Sequence, residues 1–251
     1  MFRPRIIPVL LLKGRGLVKS VRFKDHSYVG DPINAVRIFN ELAADELVFL
    51  DIDATRENRL VSLDFVRDVG EEASMPFSVG GGIRTLADIK AVISAGAEKV
   101  VIGSQAARDQ DFVRQASDAF GASAIVVCVD VKRSYFKGLR VWCVNGTRPT
   151  GHSPTGFARV MAENGAGELI VQSIDRDGTM SGYDIDLIRA VSEVVDVPVI
   201  ALGGVGKKAD LVAAYREGGA NGLGAGSLFV YKDKKRGVLI NYPEKGDPAF
   251  D

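Results

Sequence analysis

Asp130 ends an apolar run, AIVVCVD (124–130), and a carboxyl group at such a strand tip can take up or release a proton during a reaction. A matching stretch lies 119 positions earlier: RIIPVLLLK (5–13) aligns with AIVVCVDVK (124–132), and Leu11 stands opposite Asp130. Leucine has no proton to exchange, so the pair of acids implied by the repeat is reduced to one.

Two glycine-bearing sets point to phosphate chemistry. One combines Gly80, Gly81 and Gly82 with Gly103 and Ser104; the other combines Asp177, Gly178 and Thr179 with Gly203, Gly204, Ala225, Gly226 and Ser227. Glycine lets backbone N–H groups approach phosphate oxygens, and it also simply makes tight turns. The recurrence of the set in both halves suits a phosphorylated small molecule with an anionic group at each end.

Charged residues form a third group. Side chains alternate along a strand, so Arg5 shares a face with Leu11 and lies about 20 Å below it. The same parity puts Glu46, Lys99 and Glu168 at the starts of three other strands. They form either one layer of two cations and two anions or separate solvated charges. Cys128 shares the face of Asp130 and reads as core filling. His152 reads as a surface-loop histidine, and Lys19 as a loop lysine, solvated or turned to a ligand. Tyr135 and Trp142 either cap a site or pack beneath it. Cys128 and Cys143 are the two cysteines, and their spacing is not that of a metal site or redox pair. No metal and no cofactor is expected.

The elements that must position these residues follow from hydrophobic periodicity. Strands are expected at 6–12, 47–52, 76–80, 99–103, 124–130, 168–173, 197–202 and 221–226, with helices between them, among them 32–44, 85–95, 107–119, 155–164, 184–194 and 207–217. Strict alternation calls for a parallel sheet. A doubly wound open sheet shares that pattern, but a second repeat favours closure: ELVFLDIDA (46–54) aligns with ELIVQSIDR (168–176) at an offset of 122. The expectation is an α/β fold, a (β/α)8 TIM barrel in one domain, residues 1–251, with half-barrels of about 1–120 and 121–232. FKGLRVWCVNGTR (136–148) reads as a hairpin inserted after strand five and closed by Asn145-Gly146. The tail, 233–251, is atypical, with RGVLINYP more strand-like than helical. Pro8 predicts a local irregularity in strand one.

Composition narrows the rest. The 32 basic and 32 acidic residues balance, so no overall field recruits nucleic acid. The run Lys232, Lys234, Lys235 and Arg236 reads as solvated surface. No apolar stretch approaches the roughly 20 residues that span a bilayer. The N-terminal MFRPRIIPVLLLKGRG lacks a signal-peptide cleavage site and reads as a buried strand. A cytoplasmic, disulfide-free protein is expected.

Residues 1–232 resemble the cyclase subunit of imidazole glycerol phosphate synthase, of the histidine-biosynthesis barrel family. The resemblance is carried by DELVFLDI (45–52), PFSVGGGI (76–83), EKVVIG (98–103) and above all SIDRDGTMSGYD (173–184). It implies a glutaminase partner at the N-terminal face of the barrel, whose ammonia passes through the barrel to cleave and cyclise a bis-phosphorylated ribonucleotide. Family chemistry uses two aspartates, at the tips of strands one and five. Asp130 matches the second, and Leu11 replaces the first. Leu202 replaces a phosphate-binding serine, Gly103 a side-chain amide, and the tail a final helix. Arg5, Glu46, Lys99 and Glu168 match the ring that admits ammonia, and Lys19 matches a substrate-loop lysine. Loss of one of two cooperating proton-transfer groups costs about 10² to 10⁴ in rate, so weakened cyclisation with a retained conduit is expected. That combination is similar to a divergent branch associated with glycosyl amidation in surface-polysaccharide (lipopolysaccharide O-antigen) synthesis. There the barrel and a glutaminase supply a separate sugar amidotransferase. The cyclase of histidine biosynthesis itself is the alternative. A phosphosugar isomerase is a third reading, against which the charged ring speaks, because an isomerase needs no ammonia path.

Overall fold

The structure, a computed structural model, describes residues 3–135, 137–232 and 237–243. The chain opens with strand β1 (Arg5–Lys13), which folds back into an antiparallel hairpin, β2 (Gly16–Val21) and β3 (Lys24–Gly30), before helix α1 (Pro32–Glu41). There follow β4 (Leu47–Asp51), α2 (Leu63–Glu72), β5 (Phe77–Gly80), α3 (Leu86–Ser94), β6 (Lys99–Ile102), the short α4 (Ser104–Arg108) and α5 (Asp111–Phe120). The second half begins with β7 (Ile125–Ser134) and its hairpin, β8 (Gly138–Cys143) and β9 (Arg148–Pro149). It continues through α6 (Pro154–Glu163), β10 (Glu168–Ser173), α7 (Ile185–Ser192), β11 (Val199–Leu202), α8 (Lys208–Arg216), β12 (Gly222–Ala225) and the short α9 (Ser227–Val230).

Eight of these strands pair in parallel in the order β1, β4, β5, β6, β7, β10, β11, β12, and β12 returns to β1. The closed (β/α)8 barrel expected from the repeat is therefore present. Strand alternation sorts the apolar residues into two layers. Ile7, Val9, Val48, Val126, Ile170 and Ile200 fill the interior. Ile6, Leu10, Leu12, Val127 and Val129 face outward into the larger core beneath the helices. Helix starts are set by local chemistry: Asp31 accepts from Asn34 N with Pro32 at the first helical position, and Thr85 and Asp88 form a reciprocal box.

The two halves match in their departures from a plain barrel. Each first strand carries a hairpin, β2–β3 after β1 and β8–β9 after β7, and each fourth strand carries a short extra helix, α4 after β6 and α9 after β12. The hairpin after β7 was expected, and its β8–β9 turn runs through Asn145 and Gly146, both at positive φ. The hairpin after β1 was not expected. Its two-residue turn is Arg22-Phe23, at φ 53° and 61°, and neither residue is one that signals such a turn. Tertiary contacts hold it: Arg22 N donates to Asp177 O at 2.9 Å, and Arg22 Nε to Asp175 O at 3.0 Å.

Two further expectations change. β1 passes through Pro8 without irregularity, in even register from Arg5 opposite Gly222 to Pro8 opposite Ala225. The tail segment forms no full strand among its described residues; Val238 makes one isolated bridge to Tyr231. Instead, Ile240 and Tyr242 cover the outside of the β12–β1 seam. The Tyr242 hydroxyl donates to Ile6 O at 2.9 Å and accepts from Asp45 N at 3.0 Å, and its ring meets Phe39 and Phe229. Lys234, Lys235 and Arg236 lie outside the described residues. Among the described residues, no helix is long and apolar enough to cross a membrane.

Candidate functional site

A cavity of about 220 Å³ opens at the C-terminal ends of the barrel strands, walled by both glycine sets and by Leu11, Asp130 and Lys19. Its floor is apolar: Val9, Leu50, Val101 and Leu202 continue the barrel interior upward. Leu11 extends that floor, between Leu50 on β4 and Val18 on β2.

Asp130 is the acid of the mouth. Burial pushes its carboxyl up to about 7, with the nearby charge of Asp177 adding to the effect. The Cys128 thiol donates to Asp130 Oδ1 at 3.4 Å and partly offsets the rise. A carboxyl group poised near neutrality suits either half of acid–base catalysis. Burial also pushes the Cys128 thiol up, which fits core filling rather than a nucleophile.

Asp177 lines the cavity, and its side chain also has a structural job. Its carboxylate accepts from Ser20 Oγ at 2.8 Å and from Gln172 Nε2 at 3.3 Å, clasping the β2–β3 hairpin to the segment after β10. Lys19 moves: it lies on β2 rather than in a loop, is 6% exposed, and donates from Nζ to Val9 O at 2.6 Å. Burial lowers its amine to about 8, against an opposing pull from Asp177.

The glycines divide by what demands them. Gly82 sits at φ 69°, and a Cβ there would lie 1.8 Å from Arg59 O; Gly178, at φ 67°, would meet Ser20 O at 1.9 Å. The chain's own backbone dictates those two, and Gly81, Gly203 and Gly204 are confined in the same manner. Gly103 differs, at φ −112° with no neighbour closer than 3.9 Å, so glycine there leaves open space at the mouth. Gly226 is covered by Lys19, whose Nζ would lie 2.3 Å from an added Cβ. Ser104 lines the cavity, but its Oγ already accepts from Val144 N at 2.9 Å. The Ala225 side chain belongs to the outer core instead of the mouth, because odd positions of β12 face the helices.

Two arginines at the mouth carried no sequence signal. Arg84 and Arg108 both line the cavity, and neither has a carboxylate partner among the described residues. Arg84 meets the side chain and the carbonyl of Asn58. Asp51, by contrast, is fully engaged, gripped by both terminal nitrogens of Arg59 and by the N–H groups of Asp53 and Ala54. His152 packs on Phe157 away from the cavity, and Tyr135, 93% exposed, does not cap it. Trp142 lies under Lys132, whose Nζ is 4.8 Å from the ring centroid.

At the opposite end, the four strand-start charges meet in one closed ring. Arg5 donates to Glu46 Oε2 at 2.5 Å and to Glu168 Oε1 at 2.8 Å. Lys99 Nζ reaches Glu46 Oε1 at 3.3 Å and Glu168 Oε1 at 3.2 Å. Ser78 Oγ adds a hydrogen bond to Glu46 Oε1 at 3.0 Å, and Glu46 is 2% exposed. Charges therefore alternate around the barrel bottom, every neighbour in contact, with the apolar interior directly above.

Comparison with known proteins agrees over the whole chain. The family model described as "Histidine biosynthesis protein" matches residues 5–235. A Pseudomonas aeruginosa protein is 46% identical over 244 residues, covering 97% of each chain. A Leptospira interrogans protein is 42% identical over 248 residues, 98% of each, and a Vibrio vulnificus protein 41% over 249 residues, 98% of this chain and 95% of its own. All three bear the name "Putative imidazole glycerol phosphate synthase subunit".

Proposed function

For this chain, which belongs to the histidine biosynthesis protein family, we propose a role as the ammonia-conducting synthase-type subunit of a glutamine-dependent amidotransferase complex. A glutaminase docks at the N-terminal face of the barrel, and its ammonia enters through the ring of Arg5, Glu46, Lys99 and Glu168. The observation that carries the reading is the contrast between the two ends of one strand: Arg5 completes a four-membered ionic ring, whereas apolar Leu11 stands at the top, opposite Asp130 in the repeat. A part-buried ionic ring, with the Arg5 side chain 27% exposed and that of Glu46 3%, is a poor stabiliser, since packed apolar residues of similar volume often do as well or better. Its retention is therefore best accounted for by passage of a small polar molecule. Above the ring, the lumen of Ile7, Val48, Val126, Ile170 and Ile200 favours neutral ammonia over ammonium, because an unpaired ion in apolar surroundings is costly.

The acceptor of that ammonia, in this reading, is a sugar of a surface polysaccharide, aminated by a separate amidotransferase in the cytoplasm. Support comes from Leu11, Leu202 and the tail, all departures from a cyclase site. Tagged, full-length protein should co-purify with a glutaminase, and reversal of the ring charge at Lys99 should weaken that association. Recovery of the folded barrel without a glutaminase would contradict the proposal.

A second reading is supported by the names of the relatives and by Asp130. Its carboxyl group, raised to about 7, could serve a cyclase of histidine biosynthesis alone. Phosphate contacts from the open backbone at Gly103 and from Arg84 would serve either reading.

A further inference from the structure

Lys19 has no part in conducting ammonia, yet it is the buried amine of the barrel mouth. It reaches from β2 across β1, lines the cavity, and is covered except for 6% of its surface. An ammonium group offers three donors. Among the described residues Lys19 Nζ finds one hydrogen-bond acceptor, Val9 O. The cavity that Lys19 lines has Val9, Leu11, Leu50 and Leu202 on its floor, with Ser20, Gln172 and Asp177 also in its walls. Asp177 is the charged group acting on Lys19, and its carboxylate is already held by Ser20 and Gln172. Such burial raises the fraction of a lysine that is uncharged and nucleophilic near neutral pH, though most of it stays protonated there. The wall of the same cavity carries Arg84 and Arg108, two guanidinium groups without carboxylate partners among the described residues.

We propose that Lys19 forms an imine with a phosphorylated aldehyde or ketone bound at the barrel mouth, the amine attacking the carbonyl carbon while Arg84 and Arg108 hold the phosphate. The step is balanced: the nitrogen lone pair of the neutral amine forms the C–N bond, and the carbonyl oxygen leaves as water after taking up both amine protons. Asp130, half-protonated near neutrality, lines the same cavity from β7, across the barrel from β1, and is the group that hands a proton to the departing oxygen. No oxidant or reductant enters. The proposal does not depend on the ammonia reading, because it uses only residues of the mouth.

Pyridoxal 5′-phosphate, a phosphorylated aldehyde, is the probe. The full chain is incubated with it, reduced with borohydride and mapped by peptide mass spectrometry. Lowering the amine from 10.5 to about 8 raises its uncharged fraction at neutral pH by about 300-fold. Lower intrinsic nucleophilicity offsets part of that, so Lys19 should be labelled at least about ten-fold over any other lysine. The labelling rate should rise with a midpoint near 8, and pyridoxal without its phosphate should label Lys19 at least about ten-fold less. Lys19→Arg keeps the charge and length but cannot form the imine, so it should lose the adduct while remaining folded by circular dichroism. Arg84→Gln should weaken labelling by the phosphorylated probe alone. Labelling spread evenly over surface lysines, or an adduct of unchanged yield in Lys19→Arg, would overturn the assignment. Equal labelling by the two aldehydes would overturn the phosphate-binding role of the arginines.

Discussion

At the scale of single residues, the chemistry of the mouth is set by what surrounds Asp130. Its carboxyl group is raised to about 7 in the folded chain against about 3.9 when unfolded. The folded state therefore binds the proton more tightly. The stability contributed by that group is complete below about pH 4 and is lost as pH rises toward 7. Asp130→Asn removes this dependence and should stabilise the protein at pH 8 by up to about 4 kcal/mol, and little at pH 4, as read by urea denaturation at both values. A second residue-scale contrast separates glycines held by the backbone from one that is not. Gly82→Ala meets Arg59 O and a left-handed φ, and should cost about 3 kcal/mol or more. Gly103→Ala meets nothing closer than 3.9 Å and should fall within about 0.5 kcal/mol of the parent by the same assay. Sequence gave no means of telling these glycines apart, because the neighbours that decide are Arg59 and Ser20, distant in the chain. The same limit hid Arg84 and Arg108: an isolated arginine has no local pattern, and only the closed barrel brings the two to one wall.

Individual elements were legible to the degree that their signals were local. The eight barrel strands followed from short β-branched runs, and the hairpin after β7 followed from Asn145-Gly146. The hairpin after β1 did not, since Arg22-Phe23 adopts its turn under the hold of Asp175 and Asp177. Pro8 misled in the opposite direction: its missing N–H suggested a break, but β1 shifts its pairing from β12 to β4 at that point, and the strand continues. Within the described part of the tail, one residue bridges two separate segments. Tyr242 ties Ile6 O to Asp45 N, the residues adjoining Arg5 and Glu46 in the ring. Tyr242→Phe leaves both backbone groups without this partner and should cost about 1–3 kcal/mol, measured by chemical denaturation. A loss below about 0.5 kcal/mol would show that the tail does not secure the seam.

For the molecule as a whole, one barrel carries two ends with different histories. The bottom holds alternating charges in full contact, and the top carries Leu11 where the repeat aligns Asp130. The repeat at an offset of 119 already singled out position 11, and in the structure Asp51 is held by Arg59 and Asp177 by Ser20. Because buried ion pairs trade desolvation against attraction, replacing the four ring residues together by apolar residues of similar volume should change stability by no more than about 2 kcal/mol. Removing Glu46 alone, which strips partners from both Arg5 and Lys99, should cost about 3–5 kcal/mol. The central claim is that this barrel conducts ammonia but is a poor cyclase. It is tested most directly by steady-state cyclisation of the bis-phosphorylated ribonucleotide with ammonium supplied in solution, beside a relative that has both aspartates. With Leu11 in place of one of two cooperating acids, turnover should lie at least about 10²-fold below that of the relative. Turnover equal to the relative's would contradict the account.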